Sequence, residues 1–322
     1  MAKDVLYTNG VIAAREKYLL NDKILKLCDS SAEEAFHTLS ENGFCKNAEV
    51  SSVYDYEKLV SADEGDIDRF IREYAPSRAE AEYLLSPRDF HNAKAAVKAR
   101  FLKTDLEVML APEGLIPVQY IVKCVEEENF VPLGTELSKA VEKAVNLFKE
   151  EKATGAEIGV IFEKALYLHL SANCSKNPVL KKLLTAKADM TNILTAMRSD
   201  DEEHAKESYL AGGKLTEGKL SKLFLEDKEK AADAFKGTPY HGFVKKCLSD
   251  REQNLPLTSA EKISESYEAE FFSAKKYELE RSQPFLYYIF RRRVENANAR
   301  ILIACLLAGM GEIEIRNRMR TF

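Results

Sequence analysis

The sequence of 322 residues predicts an all-α protein, and three observations carry this prediction. Apolar residues recur at helical spacing through most of the chain, for example at Leu137, Val141, Val145 and Phe148. Glycine and proline number only 14 and 9, about 4% and 3% against typical usages of about 7% and 5%, which favours long helices over tight turns. Capping-box spacing, a hydroxyl residue followed three positions later by glutamate, occurs at Ser31, Ser77, Thr154 and Thr258.

Proline and glycine breaks divide the chain into roughly a dozen predicted helices. The breaks lie near Pro76, residues 112–117, Pro132, Pro178, Gly212, Pro239 and Pro256. The helices predicted over residues 259–281 and 284–308 are the longest, and only a short break at Gln283 and Pro284 separates them.

An internal repeat is the most informative feature of the sequence. Asp-x-x-Asn with a downstream arginine occurs twice, 100 residues apart, and each copy is followed by a glycine-containing break at a similar offset. A third copy has glutamate in place of aspartate, and a fainter one, Asn9 with Arg15, opens the chain. The three sets are Asp89, Asn92 and Arg100; Asp189, Asn192 and Arg198; and Glu295, Asn298 and Arg300.

A repeat of this length exceeds the 20–50 residues of solenoid units, so we predict three similar helical lobes about a pseudo-threefold axis. Lobe 1 is predicted over residues 1–88, lobe 2 over 89–188 and lobe 3 over 189–294, with C-terminal helices 295–322 closing against the N-terminal lobe. Residues three apart share one helix face. Each set therefore forms either a structural clasp between neighbouring helices or a polar lining that contacts a partner.

Composition and motifs argue against several functions. The net charge of −5 disfavours nucleic-acid binding, which needs a dominant basic face. Neither phosphate-binding glycine loop, GxGxxG or GxxxxGK[ST], is present, so we expect no bound nucleotide. The six cysteines form no CxxC pair and no nucleophile motif occurs. We predict no catalytic residue, no cofactor and no metal site.

Two functional alternatives stay open. Carboxylate-x-x-His spacing at Glu34 and His37, and at Asp201 and His204, is typical of helical di-iron proteins, although both acids also suit helix starts. A helical adaptor of some unrelated complex would share every structural feature. Residues 291–322 carry seven arginines against three acidic residues, which suits either a protein interface or pairing within the chain.

The chain has no predicted targeting or membrane segment. The N-terminus lacks a basic region followed by an apolar one, and the longest apolar run, residues 301–311, is about half of the roughly 20 residues that a bilayer helix needs. We therefore expect a soluble, cytoplasmic chain.

Near the C-terminus, Val294-Glu-Asn-Ala-Asn298-Ala-Arg300, Leu307-Ala-Gly309 and Ile313-Glu-Ile-Arg316 resemble the C/d subunit family of V-type and archaeal A-type ATPases. The segment Leu210-Ala-Gly-Gly-Lys-Leu215 resembles the family's glycine break. The resemblance implies a funnel-like, three-lobed, non-catalytic rotor subunit of the central stalk. It would lie on the cytoplasmic face of the membrane, link the proteolipid ring to the D- and F-type shaft subunits, and couple ATP hydrolysis or synthesis to proton or sodium transport.

Overall fold

The computed structural model describes residues 4–20, 23–41, 49–253, 257–274, 278 and 281–320. These residues form α-helices and short 3-10 helices, and no strand occurs among them. The all-α prediction is confirmed. The chain divides into two compact units, Met1–Ser77 with Glu265–Phe322, and Arg78–Ser264.

The first unit joins the two ends of the sequence. Its helices are α1 (Val5–Arg15), α2 (Lys23–Lys26), α3 (Ala32–Glu41), α4 (Tyr56–Tyr74), α15 (Gln283–Leu307) and α16 (Glu312–Arg318). Helix α15 packs against α1, α3 and α4. Apolar side chains of N-terminal residues such as Ile24 and Leu59 share one core with Leu302 and Ile315, so the C-terminal helices complete the core of the N-terminal segment.

The second unit contains the long helices α5 and α9, each followed by shorter ones. Its helices are α5 (Arg78–Leu102), α6 (Val118–Glu126), α7 (Thr135–Lys149), α8 (Gly155–Asn173), α9 (Pro178–Arg198), α10 (Glu202–Ser208), α11 (Glu217–Leu220), α12 (Lys228–Asp233) and α13 (His241–Glu252). Helix α5 packs against α6, α7 and α8, whereas α9 packs against α10 and α13. Helix α14 (Thr258–Ser273) contributes residues to both units.

The helix starts follow the local sequence signals. Thr154 and Glu157 form the complete capping box that the spacing predicts. The hydroxyl of Ser31 accepts from the Glu34 amide, whereas the side chain of Thr258 lies outside the described residues. Asn177 caps α9 by accepting from two backbone amides. Satisfying these unpaired donors fixes where each helix begins.

Helix α5 contains an internal proline, and helix α14 is shorter than the sequence predicts. Helix α5 continues through Pro87 to a length of 25 residues, because packing on α6, α7 and α8 overrides the local cost of proline. Helix α14 ends at Ser273, earlier than the predicted residue 281. Residues 275–277 and 279–280 of that predicted helix lie outside the described residues.

Candidate functional site

The first repeat set holds the loop that follows its own helix. Asp89 is buried on α5, and its two carboxylate oxygens accept hydrogen bonds from the backbone amides of Leu115 and Ile116 at 3.0 and 3.1 Å. One turn further on, the side-chain oxygen of Asn92 accepts from the Ala111 amide at 2.8 Å. The shared helix face thus presents two acceptors to one loop, residues 103–117.

The second set repeats this geometry on α9. Asp189 is fully buried and accepts from the Leu215 amide at 2.9 Å, which is the same 26-residue separation as from Asp89 to Leu115. Its other oxygen accepts from the Tyr240 hydroxyl at 2.8 Å. The Asn192 amide both donates to the carbonyl and accepts from the amide of Leu210, at 2.9 and 2.7 Å.

Glycine is required where each loop meets its carboxylate. A Cβ atom added to Gly114 would lie 2.2 Å from Oδ1 of Asp89, and one added to Gly213 would lie 2.3 Å from Oδ1 of Asp189. Contacts this short do not occur between non-bonded atoms. The glycine-containing breaks of the repeat are therefore places where the backbone itself approaches the acid.

The third set keeps the asparagine contact and changes the acidic one. On α15 the side chain of Asn298 exchanges two hydrogen bonds with the backbone of Arg320, at 2.8 and 3.0 Å. The longer Glu295 side chain is buried and lies 3.5 Å from the guanidinium of Arg292, which also pairs with buried Asp63. Asn298 thereby fixes the segment that follows α16.

The three arginines each reach a different partner on another helix. Arg100 donates to the carbonyl of Val125 in α6 and pairs with Glu128 in the turn that follows this helix. Arg198 pairs with Glu261 of α14 at 2.6 Å. Arg300 binds the carboxylate of Glu64 through two nitrogens and that of Glu57 through a third, all on α4. The hydrogen bonds that Arg300 donates to Glu64 raise the pKa of Arg300 above its ordinary value.

The surroundings of Asp89 make it a weaker acid than an exposed aspartate. Burial raises the pKa of Asp89 to about 6, and the two amide hydrogen bonds oppose this shift only in part. The nearby Glu82 carboxylate raises the pKa of Asp89 further, whereas His169 lowers it. Buried carboxylates without a bonded cation carry this desolvation cost.

A buried polar cluster beside the first set was not predicted from the sequence. Glu82, two turns before Asp89 on α5, accepts from Arg78, from Ser86 at 2.6 Å and from His169 of α8 at 2.8 Å. Its pKa falls to about 2 because these donors outweigh burial. The helical spacing from Glu82 to Asp89 is the only sequence signal for it. The bond between His169 and Glu82 joins α8 to α5, and the buried hydroxyl of Ser86 donates to the same carboxylate.

The residues of the metalloprotein alternative make other contacts. His37 lies 3.5 Å from Glu41, its neighbour one turn away. Asp201 caps α10 by accepting from the amides of Glu203 and His204. Within the described ranges, no three His, Cys, Asp or Glu side chains group in a way that could hold a metal ion.

Several C-terminal arginines are paired inside the chain. Besides Arg292 and Arg300, Arg316 pairs with Glu312 at 2.7 Å within α16. Arg318 and Arg320 are exposed, and Arg320 binds Asn298 through its backbone. Part of the positive charge counted from the sequence is therefore paired with acidic side chains of the same chain.

Comparison with known proteins agrees with the sequence resemblance. The model of the ATP synthase (C/AC39) subunit family matches residues 8–318. The C-type subunit of the V-type sodium ATPase of Enterococcus hirae is 21% identical over 275 residues, which cover 83% of this chain and 82% of that protein. No described helix has both the length and the apolar composition needed to cross a bilayer. Since the family match spans nearly the whole length, the chain belongs to the ATP synthase (C/AC39) subunit family and is a non-catalytic subunit of a V-type ATPase complex.

Proposed function

We propose that the chain is the central-stalk rotor subunit that links the shaft to the proteolipid ring. The observation that carries this proposal is the family match over residues 8–318. In this role the subunit performs no chemistry. It transmits torque, so that ATP hydrolysis or synthesis in the catalytic head is coupled to proton or sodium movement through the ring.

The proposed partners lie on two sides of the subunit. The D- and F-type shaft subunits would be held on one side, and the cytoplasmic loops of the ring would be met on the other. This arrangement makes the chain peripheral on the cytoplasmic face of the membrane. Support comes from its membership of a V-type ATPase complex.

We also propose three similar lobes in a pseudo-threefold, funnel-like arrangement, over residues 1–88, 89–188 and 189–294, closed by 295–322. The equivalent loop contacts of Asn92, Asn192 and Asn298 support three related units. The common core of Met1–Ser77 and Glu265–Phe322 supports closure of the termini.

The repeated polar residues act, in this proposal, as structural clasps that stiffen each lobe. Support comes from the bonds of the aspartates and asparagines to backbone atoms of the chain itself, 18 to 27 residues downstream. Arg198 and Arg300 likewise pair with acidic side chains of the same chain. A double charge reversal, Arg198→Glu with Arg300→Glu, tests this role. Clasps predict a lower melting temperature in the isolated chain, whereas partner contacts predict weaker assembly with unchanged stability.

Co-sedimentation tests the rotor proposal directly. The purified chain is mixed with detergent-solubilised proteolipid ring, with and without the shaft subunits. Stoichiometric sedimentation with the ring, strengthened by the shaft, is the expected result. A chain that stays in the supernatant with ring and shaft together would exclude the linking role.

A further inference from the structure

Helix α1 exposes apolar residues to solvent and carries no charge along most of its length. Residues 5–14 include no acidic or basic side chain. Leu6 and Tyr7 are 58% and 56% exposed. Gly10, Ala13 and Ala14 are exposed as well, and their spacing of three or four positions places them on the same face of the helix. These five residues form what we call the α1 outer face.

The opposite face of α1 is polar and lies inside the unit. Thr8 and Asn9 are 0% and 4% exposed. The Thr8 hydroxyl donates to the carbonyl of Tyr74 at 3.0 Å, and the Asn9 side chain donates to the carbonyl of Arg281 at 3.1 Å. Turning α1 to bury its apolar face would break both buried bonds, which is costly. The fold therefore holds the α1 outer face towards solvent.

Helix α4, in the same unit, shows the usual arrangement. Its apolar side chains are buried. Its exposed charged residues are Glu57, Lys58, Arg69, Arg72 and Glu73. Surface helices normally present charged residues to water in this way. The reversed pattern of α1 is instead typical of the centre of a protein interface, where charged residues are depleted and aromatic ones enriched.

The exposed ring of Tyr7 is held in place by an aromatic stack. It stacks on Tyr74 with ring centroids 6.3 Å apart, and Tyr74 stacks on the buried ring of Phe70 at 4.7 Å. Stacking of this kind restricts the side chain before any partner arrives. A preorganised aromatic group loses less entropy on binding, which makes Tyr7 a suitable anchor.

The absence of charge on the α1 outer face indicates what covers it. A charged side chain buried against residues 5–14 would find no counter-ion there, so a complementary partner face must also be uncharged. Membrane-binding helices carry lysine and arginine on their polar face, whereas the polar face of α1 is buried. A Cβ atom added at Gly10 would meet nothing within 4 Å, so the middle of the face is low enough for a second helix to approach closely.

The size of the face argues against a second copy of this chain as the occupant. Helix α1 has 11 residues and is therefore about 16 Å long and about 10 Å across, so that half of its surface is about 250 Å². A stable interface buries about 800 Å² on each partner. The α1 outer face suits a contact inside a larger assembly, whose other interfaces supply the remaining area.

We propose that the α1 outer face is a docking surface for an uncharged, apolar helix of another subunit in the V-type ATPase complex. The inference rests on membership of that complex, and it adds a specific face and a partner chemistry to the proposed function.

The test is binding of the full-length chain to the V-type ATPase purified without this subunit. Gly10→Glu with Ala14→Glu places two charges on the α1 outer face. The matched control, Ser61→Glu with Gly65→Glu, places two charges at the same spacing on the exposed side of α4. Added side chains at Gly10 and Gly65 meet no neighbour within 4 Å, so both pairs should fold. Helicity and melting temperature of each protein are compared with those of the wild type first.

We expect the α1 pair to weaken binding at least about tenfold, because it forces uncompensated charge into the interface, and the α4 pair to bind like the wild type. Leu6→Ala, which only shortens an exposed side chain, should weaken binding by a smaller factor. This truncation separates lost apolar contact from introduced charge.

Four outcomes would overturn the inference, and they are distinguishable. Equal affinity of the α1 pair and the α4 pair, with wild-type binding intact, would refute the docking surface and leave the rotor proposal standing. Failure of the wild-type chain to bind would refute both. If the α1 pair assembles normally but loses binding to phosphatidylcholine and phosphatidylserine vesicles, the face belongs to the membrane. If it assembles normally but loses a dimer seen for the wild type by sedimentation equilibrium, the face belongs to a second copy.

Discussion

Replacing Gly114 by alanine tests whether the Asp89 carboxylate holds the loop between α5 and α6. The added methyl carbon would lie 2.2 Å from Oδ1 of Asp89 and 2.8 Å from the backbone oxygen of Leu85. Ordinary van der Waals contact is 3.4–4 Å, so the loop must retreat by about 1 Å or more. This movement breaks the bonds from the Leu115 and Ile116 amides, now 3.0 and 3.1 Å long.

The expected cost follows from those two bonds. A hydrogen bond to a charged acceptor contributes about 1.5–3 kcal/mol to stability. Replacing glycine by alanine offsets about 0.4–1 kcal/mol of the loss, because it restricts the unfolded chain. Once the loop has moved, water can hydrogen-bond to the exposed part of the Asp89 carboxylate, which offsets some of this loss. We therefore expect Gly114→Ala to lower the free energy of unfolding by about 3 kcal/mol, measured by urea denaturation with far-UV circular dichroism.

Gly159→Ala is the matched control, because nothing lies within 4 Å of its added methyl in α8. Alanine in a helix interior should instead stabilise the protein by about 0.5–1 kcal/mol. Hydrogen exchange then locates the effect of Gly114→Ala, since residues 103–117 should lose protection before the rest of the unit. Equal stability of the two variants would refute the close-approach argument.

Three further predictions concern Asp89, Asn298 and Glu151. The pKa of Asp89 is raised to about 6, so its contribution to stability is present below about pH 4 and is lost as the pH rises through 6. The free energy of unfolding should fall by about 2–3 kcal/mol over this range. Asp89→Asn should remove this fall in urea titrations, and an unchanged fall would contradict the shift. Asn298→Ala breaks both bonds to Arg320 and should make the C-terminus more susceptible to carboxypeptidase, at about 2 kcal/mol of stability; digestion at the wild-type rate would argue against the clasp. Glu151 has a φ of 56° just after α7, a left-handed conformation that favours glycine. Glu151→Gly should therefore relieve about 1 kcal/mol of backbone strain and raise the melting temperature. A lower melting temperature would contradict this account.

The family match and the loop contacts bear on different parts of the function. Membership of the C/AC39 family identifies the complex and the non-catalytic role. The contacts of Asp89 and Asp189 explain how a subunit without catalytic residues keeps long interhelical loops in fixed positions. Loops held in this way suit the torque-transmitting role proposed above, because compliant loops would absorb force.

Much of the helical architecture could be predicted from local sequence. The capping box at Thr154 and the N-cap at Asn177 depend only on residues within one turn. The Asp-x-x-Asn spacing places two acceptors on one helix face whatever the rest of the chain does. What the spacing cannot specify is the donor, and the structure supplies backbone amides of a loop about 20 residues away.

Long-range contacts decided the features that local patterns left open. The Tyr240 hydroxyl meets Asp189 across 51 residues, and Arg300 reaches Glu57 across 243. Glu82 accepts a hydrogen bond from His169 because α8 packs against α5. None of these pairs has a sequence spacing that marks it.

By itself, the sequence determined the helical class, the family and the positions of the repeated acceptors, because periodicity and capping depend on neighbours along the chain. Only the tertiary structure decided the partner of each arginine, the burial that raises the pKa of Asp89, and the union of Met1–Ser77 with Glu265–Phe322. These depend on which surfaces meet when apolar faces are buried. That choice is made by the packing of the whole core, and short segments do not encode it.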